Sequence, residues 1–167
     1  ECRVCVTGQH RQMLDQVLDL FAIRPDYDLD LMQDDQSLSD LTASILTHLT
    51  PVIVKERPEW VLVQGDTTTA MAAGLAAFYV RVKVGYIKAG LRTRDRGRPF
   101  PEEMNRRIVD LLCDLHFAPT AVARENLLRE GVAEDSIVVT GNTVIDALHW
   151  IVALPPSASI SERLPPV

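Results

Sequence analysis

Short apolar blocks alternate with stretches of helical spacing from one end of the chain to the other. Arg3 to Thr7, Trp60 to Gln64, Val82 to Ile87, Asp114 to Ala118 and Ser136 to Thr140 read as strands, short and apolar enough to be covered by helices on both faces. Between them, Leu38, Leu41, Ile45, Leu49, Val52 and Ile53 mark a helix over Ser37 to Val54. Pro51 lies inside that pattern and predicts a kink or an early end. Ala70 to Val80 is an Ala- and Leu-rich helix, and Pro101 to Cys113 is a helix with two glutamates in its first turn. Thr120 opens another helix, stopped by Gly131, and Asn142 opens the last, through Val152. The alternation predicts an α/β fold with a parallel sheet over residues 1–154. Residues 155–167, PPSASISERLPPV, lack an apolar period and read as a linker or tail.

Composition narrows the function classes. The 167 residues suffice for one domain with a real core. A net charge of −6 argues against a nucleic-acid surface. The longest apolar runs are too short to span a bilayer, and no signal peptide opens the chain, so a soluble, cytoplasmic protein is expected. Cys2 and Cys5 have CxxC spacing, but residues three apart on a strand point to opposite faces, so both read as core cysteines. His10, His48, His116 and His149 show no metal spacing, and no metal site is expected.

Candidate chemistry falls just after the strands, where open α/β sheets bind ligands. Three segments lie there: GDTTT at 65–69, KAGLRT at 88–93 and TGNT at 140–143. Gly65 permits a sharp turn that would leave Asp66 at the crevice, and helix capping is the competing role for Asp66. In RPFPEEMNRR, Glu102 and Arg106 are four apart on one helix face. They form either a plain surface pair or an acid/base glutamate oriented by the arginine. In TGNT, Asn142 reads as a cap and Gly141 as a turn residue. The chain has neither a Walker phosphate loop nor GxGxxG, so no nucleotide cofactor is called for.

Together these segments are more specific than any one alone. TGQHRQMLDQVLDLF, LVQGDTTTAMAAGLAAFY, AGLRT, PFPEEMNRR, HFAPT and VTGNTVIDAL resemble, in order and spacing, the non-hydrolysing UDP-N-acetylglucosamine 2-epimerases over roughly residues 4–152. The resemblance implies a Rossmann-like parallel sheet flanked by helices, one half of a two-domain GT-B-like architecture. It implies interconversion of UDP-N-acetylglucosamine and UDP-N-acetylmannosamine, in the supply of bacterial polysaccharide precursors, without metal or nicotinamide. By resemblance, the C2 proton is removed as UDP leaves C1, and a proton returns to the other face of the 2-acetamidoglucal as UDP adds back. Asp66 and Glu102 match catalytic carboxylates of the family, and Arg106 accompanies Glu102. Gln9, His10, Arg11 and Gln12 match a segment that binds an activating substrate molecule in some bacterial members. The family's dimerisation implies a homodimer.

Three departures temper that implication. Where the family pattern reads VGHVEAGLRT, this chain reads VGYIKAGLRT, so Tyr86 stands for a histidine and Lys88 for a catalytic glutamate. Lysine inverts the charge, favours ionised carboxylates nearby, and would need strong desolvation to act as a base. The family's first strand–helix unit, with its GTRPE-type loop, does not precede Glu1, and its second domain does not follow the Pro-rich end. These features predict an epimerase domain inactive by itself. The competing expectation is a degenerate homologue that binds a sugar nucleotide or an intact subunit.

Overall fold

The computed structural model describes residues 1–9, 11–33 and 35–154. The expected linker at 155–167 and the candidate residue His10 lie outside them. Strands β1 (Cys5–Val6), β2 (Tyr27–Asp28), β3 (Trp60–Gln64), β4 (Lys83–Ile87), β5 (Leu115–Ala118) and β6 (Ile137–Val139) alternate with helices. The helices are α1 (Arg11–Leu20), α2 (Leu38–Glu56), α3 (Thr68–Tyr79), α4 (Glu102–Leu112), α5 (Ala121–Arg129) and α6 (Thr143–Val152). All strand pairings are parallel, and the strands divide into the pair β1–β2 and the set β3–β4–β5–β6. Side chains link the segment after β1 to the start of α3: the Thr69 hydroxyl donates to Gln9 Oε1 at 2.5 Å and lies 3.4 Å from the Thr7 hydroxyl.

Helix α2 shows how local signals set the elements. The Ser37 side chain caps it by accepting from the Asp40 N–H at 3.1 Å. Leu41, Ile45, Leu49 and Ile53, four apart, form the buried stripe. Burial of each such side chain contributes about 1.5–3 kcal/mol. The expected break at Pro51 does not end the helix, which continues to Glu56. Pro51 and Thr47, whose carbonyl loses its usual partner there, are both exposed, so water can satisfy that oxygen. Helix α3 packs against α2, α4 and the sheet, and Ala72, Ala76 and Ala77 are wholly buried there. Small side chains let helices approach closely on both sides.

Coverage of the four-stranded sheet is uneven, contrary to the expectation of two covered faces. Val63, Val84, Tyr86, His116, Ala118 and Ile137 share the buried face. On the other face, Trp60, Leu62 and Val138 are exposed. The cysteines also differ from expectation: Cys2 lies outside the strand and is exposed, whereas Cys5 and Cys113 are half-buried against the core.

Candidate functional site

The site grows from the carboxyl ends of β3 and β4. Gly65 follows β3 with φ +80°, a backbone conformation that side chains other than glycine rarely adopt. Its N–H donates to the Ile87 carbonyl at 3.2 Å, and its carbonyl accepts from the wholly buried Tyr86 hydroxyl at 2.8 Å. This turn aims Asp66 away from the sheet. Asp66 is not the cap of α3. Thr67 holds that position, its hydroxyl accepting from the Ala70 N–H at 3.2 Å. The Asp66 carboxylate is thereby left for other partners, with its side chain 38% exposed.

Those partners come from α4. Arg106 Nη1 lies 2.7 Å from Asp66 Oδ2, and Asn105 Nδ2 donates to the Asp66 carbonyl at 2.9 Å. Arg106 does not pair with Glu102, as the i,i+4 spacing suggests. Its Nη2 donates to Glu103 Oε2 at 2.7 Å instead. The cause is the register of α4: Glu103, Arg106 and Asp110 fall on its buried stripe, where a charge needs a partner. Glu102, one position round the helix, is half-buried. Its Oε2 is enclosed with no hydrogen-bond partner among the described residues. That oxygen keeps spare acceptor capacity.

Glu103 has the densest environment. Burial alone would raise its carboxyl. The Arg106 hydrogen bond and the Thr93 and Arg94 amides, at 3.0 and 3.2 Å, outweigh that effect and bring it down to about 2. Beneath the site, burial, together with the negative Asp110 and Asp66, pushes the Tyr86 hydroxyl well above its ordinary value, and it stays neutral. Arg92, also buried, bridges Asp110 and Glu130 at 2.6 Å each. This network ties the β4–α4 loop to α4 and α5.

Lys88 follows β4 with φ +70°, and its N–H donates to the Phe117 carbonyl at 3.1 Å. Its ammonium makes no hydrogen bond or ion pair with the described residues. Gln9, Arg11 and Gln12 lie at the ends of β1 and α1. Gln9 accepts from Thr69, which links this segment to the GDTTT turn. Arg11 is bound to Asp28 by two contacts of 2.6 and 2.8 Å, and Gln12 is exposed. Asn142 caps α6 as expected, accepting from the Val144 N–H. Among the described residues, no group of three His, Cys, Asp or Glu side chains could hold a metal ion. No helix among them is long and apolar enough to cross a membrane.

Comparison with known proteins gives a consistent assignment. A family model described as UDP-N-acetylglucosamine 2-epimerase matches residues 1–164. The chain is 56% identical over 151 residues to the UDP-N-acetylglucosamine 2-epimerase of Escherichia coli K12, covering 90% of this chain and 40% of that protein. It is 58% identical over 151 residues to that of Yersinia pestis, with the same coverage. The Neisseria meningitidis UDP-GlcNAc 2-epimerase, crystallised with UDP-GlcNAc, superposes with TM-score 0.84 and 54% identity, over 89% of this chain and 40% of that one. The S. aureus MnaA–UDP structure gives TM-score 0.89 and 51% identity, over 96% and 42%. The chain spans about 40% of the length of the curated relatives it matches. Its parallel sheets flanked by helices are Rossmann-like and correspond to one half of a two-domain GT-B-like architecture. By sequence and by fold, the chain belongs to the UDP-N-acetylglucosamine 2-epimerase family.

Proposed function

We propose that this chain is the Rossmann-like half of an enzyme interconverting UDP-N-acetylglucosamine and UDP-N-acetylmannosamine. The observation that carries this reading is the Asp66 carboxylate, left free of the α3 cap after β3 and held at 2.7 Å by Arg106 of α4, the helix whose first turn carries Glu102. In the proposed reaction a carboxylate takes the C2 proton as the C1–O bond breaks, and the electron pair leaves on the UDP phosphate oxygen. Addition reverses these steps on the other face of C2. The net change is an inversion without oxidation, so the chemistry calls for no nicotinamide. Asp66 and Glu102 are the proton-transfer groups, and Arg106 orients Asp66 and balances its charge. The segment Gln9, His10, Arg11 and Gln12 takes part in binding an additional, activating substrate molecule, a reading that rests on the resemblance alone. The working protein is a cytoplasmic homodimer serving polysaccharide precursor synthesis, and the second half of the cleft comes from another domain.

Lys88 favours a second reading, a homologue that binds a sugar nucleotide without turning it over. A lysine stands just after β4, where the resemblance implies a third carboxylate, so a proton acceptor that the resemblance implies is replaced by a cation. One experiment separates the two readings. Residues 4–152 replace the matching segment of the E. coli relative, once with Lys88 and once with Lys88→Glu. The enzyme reading expects UDP-N-acetylmannosamine from the Lys88→Glu form, and on the order of 10²-fold less from the Lys88 form. Binding of UDP-N-acetylglucosamine without product from either form establishes the second reading instead.

A further inference from the structure

Glu103 takes no part in the scheme above, yet its surroundings are more restrictive than those of Asp66 or Glu102. Its side chain is wholly buried and accepts from four donors: the Thr93 N–H, the Arg94 N–H, Arg106 Nη2 and Arg107 Nε. Two of these are backbone amides of the loop leaving β4, and two are side chains of its own helix. One carboxylate therefore ties the KAGLRT segment to α4. It also fixes one end of the guanidinium whose other end holds Asp66. A planar guanidinium bonded at both Nη atoms has a single orientation. Arg106 Nε has no partner among the described residues, so that orientation rests on Glu103 and Asp66 together. Asp66 is the more exposed of the two, at 38% against 0%. The rigid anchor is Glu103.

We infer that Glu103 is a positioning residue for proton transfer at the sugar, acting through Arg106 to set the direction of Asp66. The inference deepens the epimerase reading and rests on it. Glu103→Gln keeps the shape of the side chain but turns an NH2 group toward donors. Arg106 should then lose its fixed end, and Asp66 its direction.

The first test reads geometry in the full chain and needs no activity. In ¹⁵N-labelled protein, the two Nη groups of Arg106 should give separate signals that merge in Glu103→Gln as rotation about the guanidinium bond becomes free. A crystal structure of the variant should show Arg106 withdrawn from Asp66. Arg106 unmoved, with separate signals retained, would overturn the inference. The second test is kinetic, in the E. coli-based enzyme carrying Lys88→Glu. Glu103→Gln should lower kcat on the order of 10²-fold with little change in KM, the scale expected of a misplaced catalytic group. Arg106→Lys should do the same, and the double variant should be no slower than Arg106→Lys alone. Losses that multiply, or a Glu103→Gln enzyme with parental kcat, overturn it. If Glu103→Gln does not fold, Glu103→Asp keeps the charge with a shorter reach, and it should fold with reduced kcat and unchanged KM. Parental kcat in Glu103→Asp would equally overturn the inference. A parent with no turnover sinks the epimerase reading, while the geometric test still decides what Glu103 does to Arg106.

Discussion

Arg106 holds Asp66 at 2.7 Å through Nη1 and Glu103 at 2.7 Å through Nη2, so one side chain couples the turn after β3 to the buried stripe of α4. This relationship makes the GDTTT turn and the PEEMNRR helix one unit. It also gives the candidate site a rigid floor built from secondary structure.

The acid response of the fold should expose that floor. Because the Glu103 carboxyl lies near 2 in the folded chain against an ordinary 4.5, the unfolded chain binds more protons between those values. Its contribution is fully present above pH 4.5 and is lost as pH falls toward 2, about 3 kcal/mol in all. Urea unfolding of the parent and of Glu103→Gln from pH 2 to 6 should give curves that converge toward pH 2 and separate above it. Parallel curves would show that Glu103 titrates normally.

The Arg92–Asp110 pair should be costly to break. Both side chains are almost fully buried, at 1% and 3% exposure. Asp110→Ala leaves the Arg92 charge with only Glu130, which is 41% exposed. Loss of about 3–5 kcal/mol is expected by urea denaturation. A loss under about 1 kcal/mol would mean that Glu130 alone satisfies the arginine.

Gly90 and Gly131 offer a matched comparison. Both have positive φ, +79° and +88°. A methyl group on Gly90 would meet the Ala123 carbonyl oxygen at 2.3 Å, whereas one on Gly131 meets nothing within 4 Å. Gly131→Ala should cost only backbone strain, about 1 kcal/mol, and Gly90→Ala roughly 2 kcal/mol more, since α5 must move. Thermal unfolding of the two variants checks the order, and equal Tm values would contradict it.

These cases mark what the sequence made legible. The apolar blocks at 60–64, 82–87 and 114–118 located β3, β4 and β5 to within a residue, because each is a short, mostly apolar run with one face in the core. Strand β2 escaped notice, since Tyr27 and Asp28 form only two residues of pairing with no apolar run. Helix α2 was legible from its apolar stripe, but the harmless placement of Pro51 was not, since exposure depends on packing. At the site, the turn at Gly65 was expected. The choice of Glu103 over Glu102 as the partner of Arg106 was not. Both spacings, three and four, permit a helix pair, and only the buried register of α4 decides between them. The stripe of Glu103, Arg106 and Asp110 was the available signal. Asn105 and Tyr86 lie inside the quoted motifs, but nothing in their spacing indicated that they fix the Asp66 and Gly65 carbonyls.

The most direct measurement is proton NMR of UDP-N-acetylglucosamine in deuterated water. It compares the E. coli-based enzyme carrying residues 4–152 with Lys88→Glu and the same enzyme with Asp66→Asn. Proton transfer by Asp66 predicts deuterium at C2 of both epimers with Asp66 present, and a rate lower on the order of 10²-fold or more with Asp66→Asn. Exchange at the parental rate without the Asp66 carboxylate would contradict it.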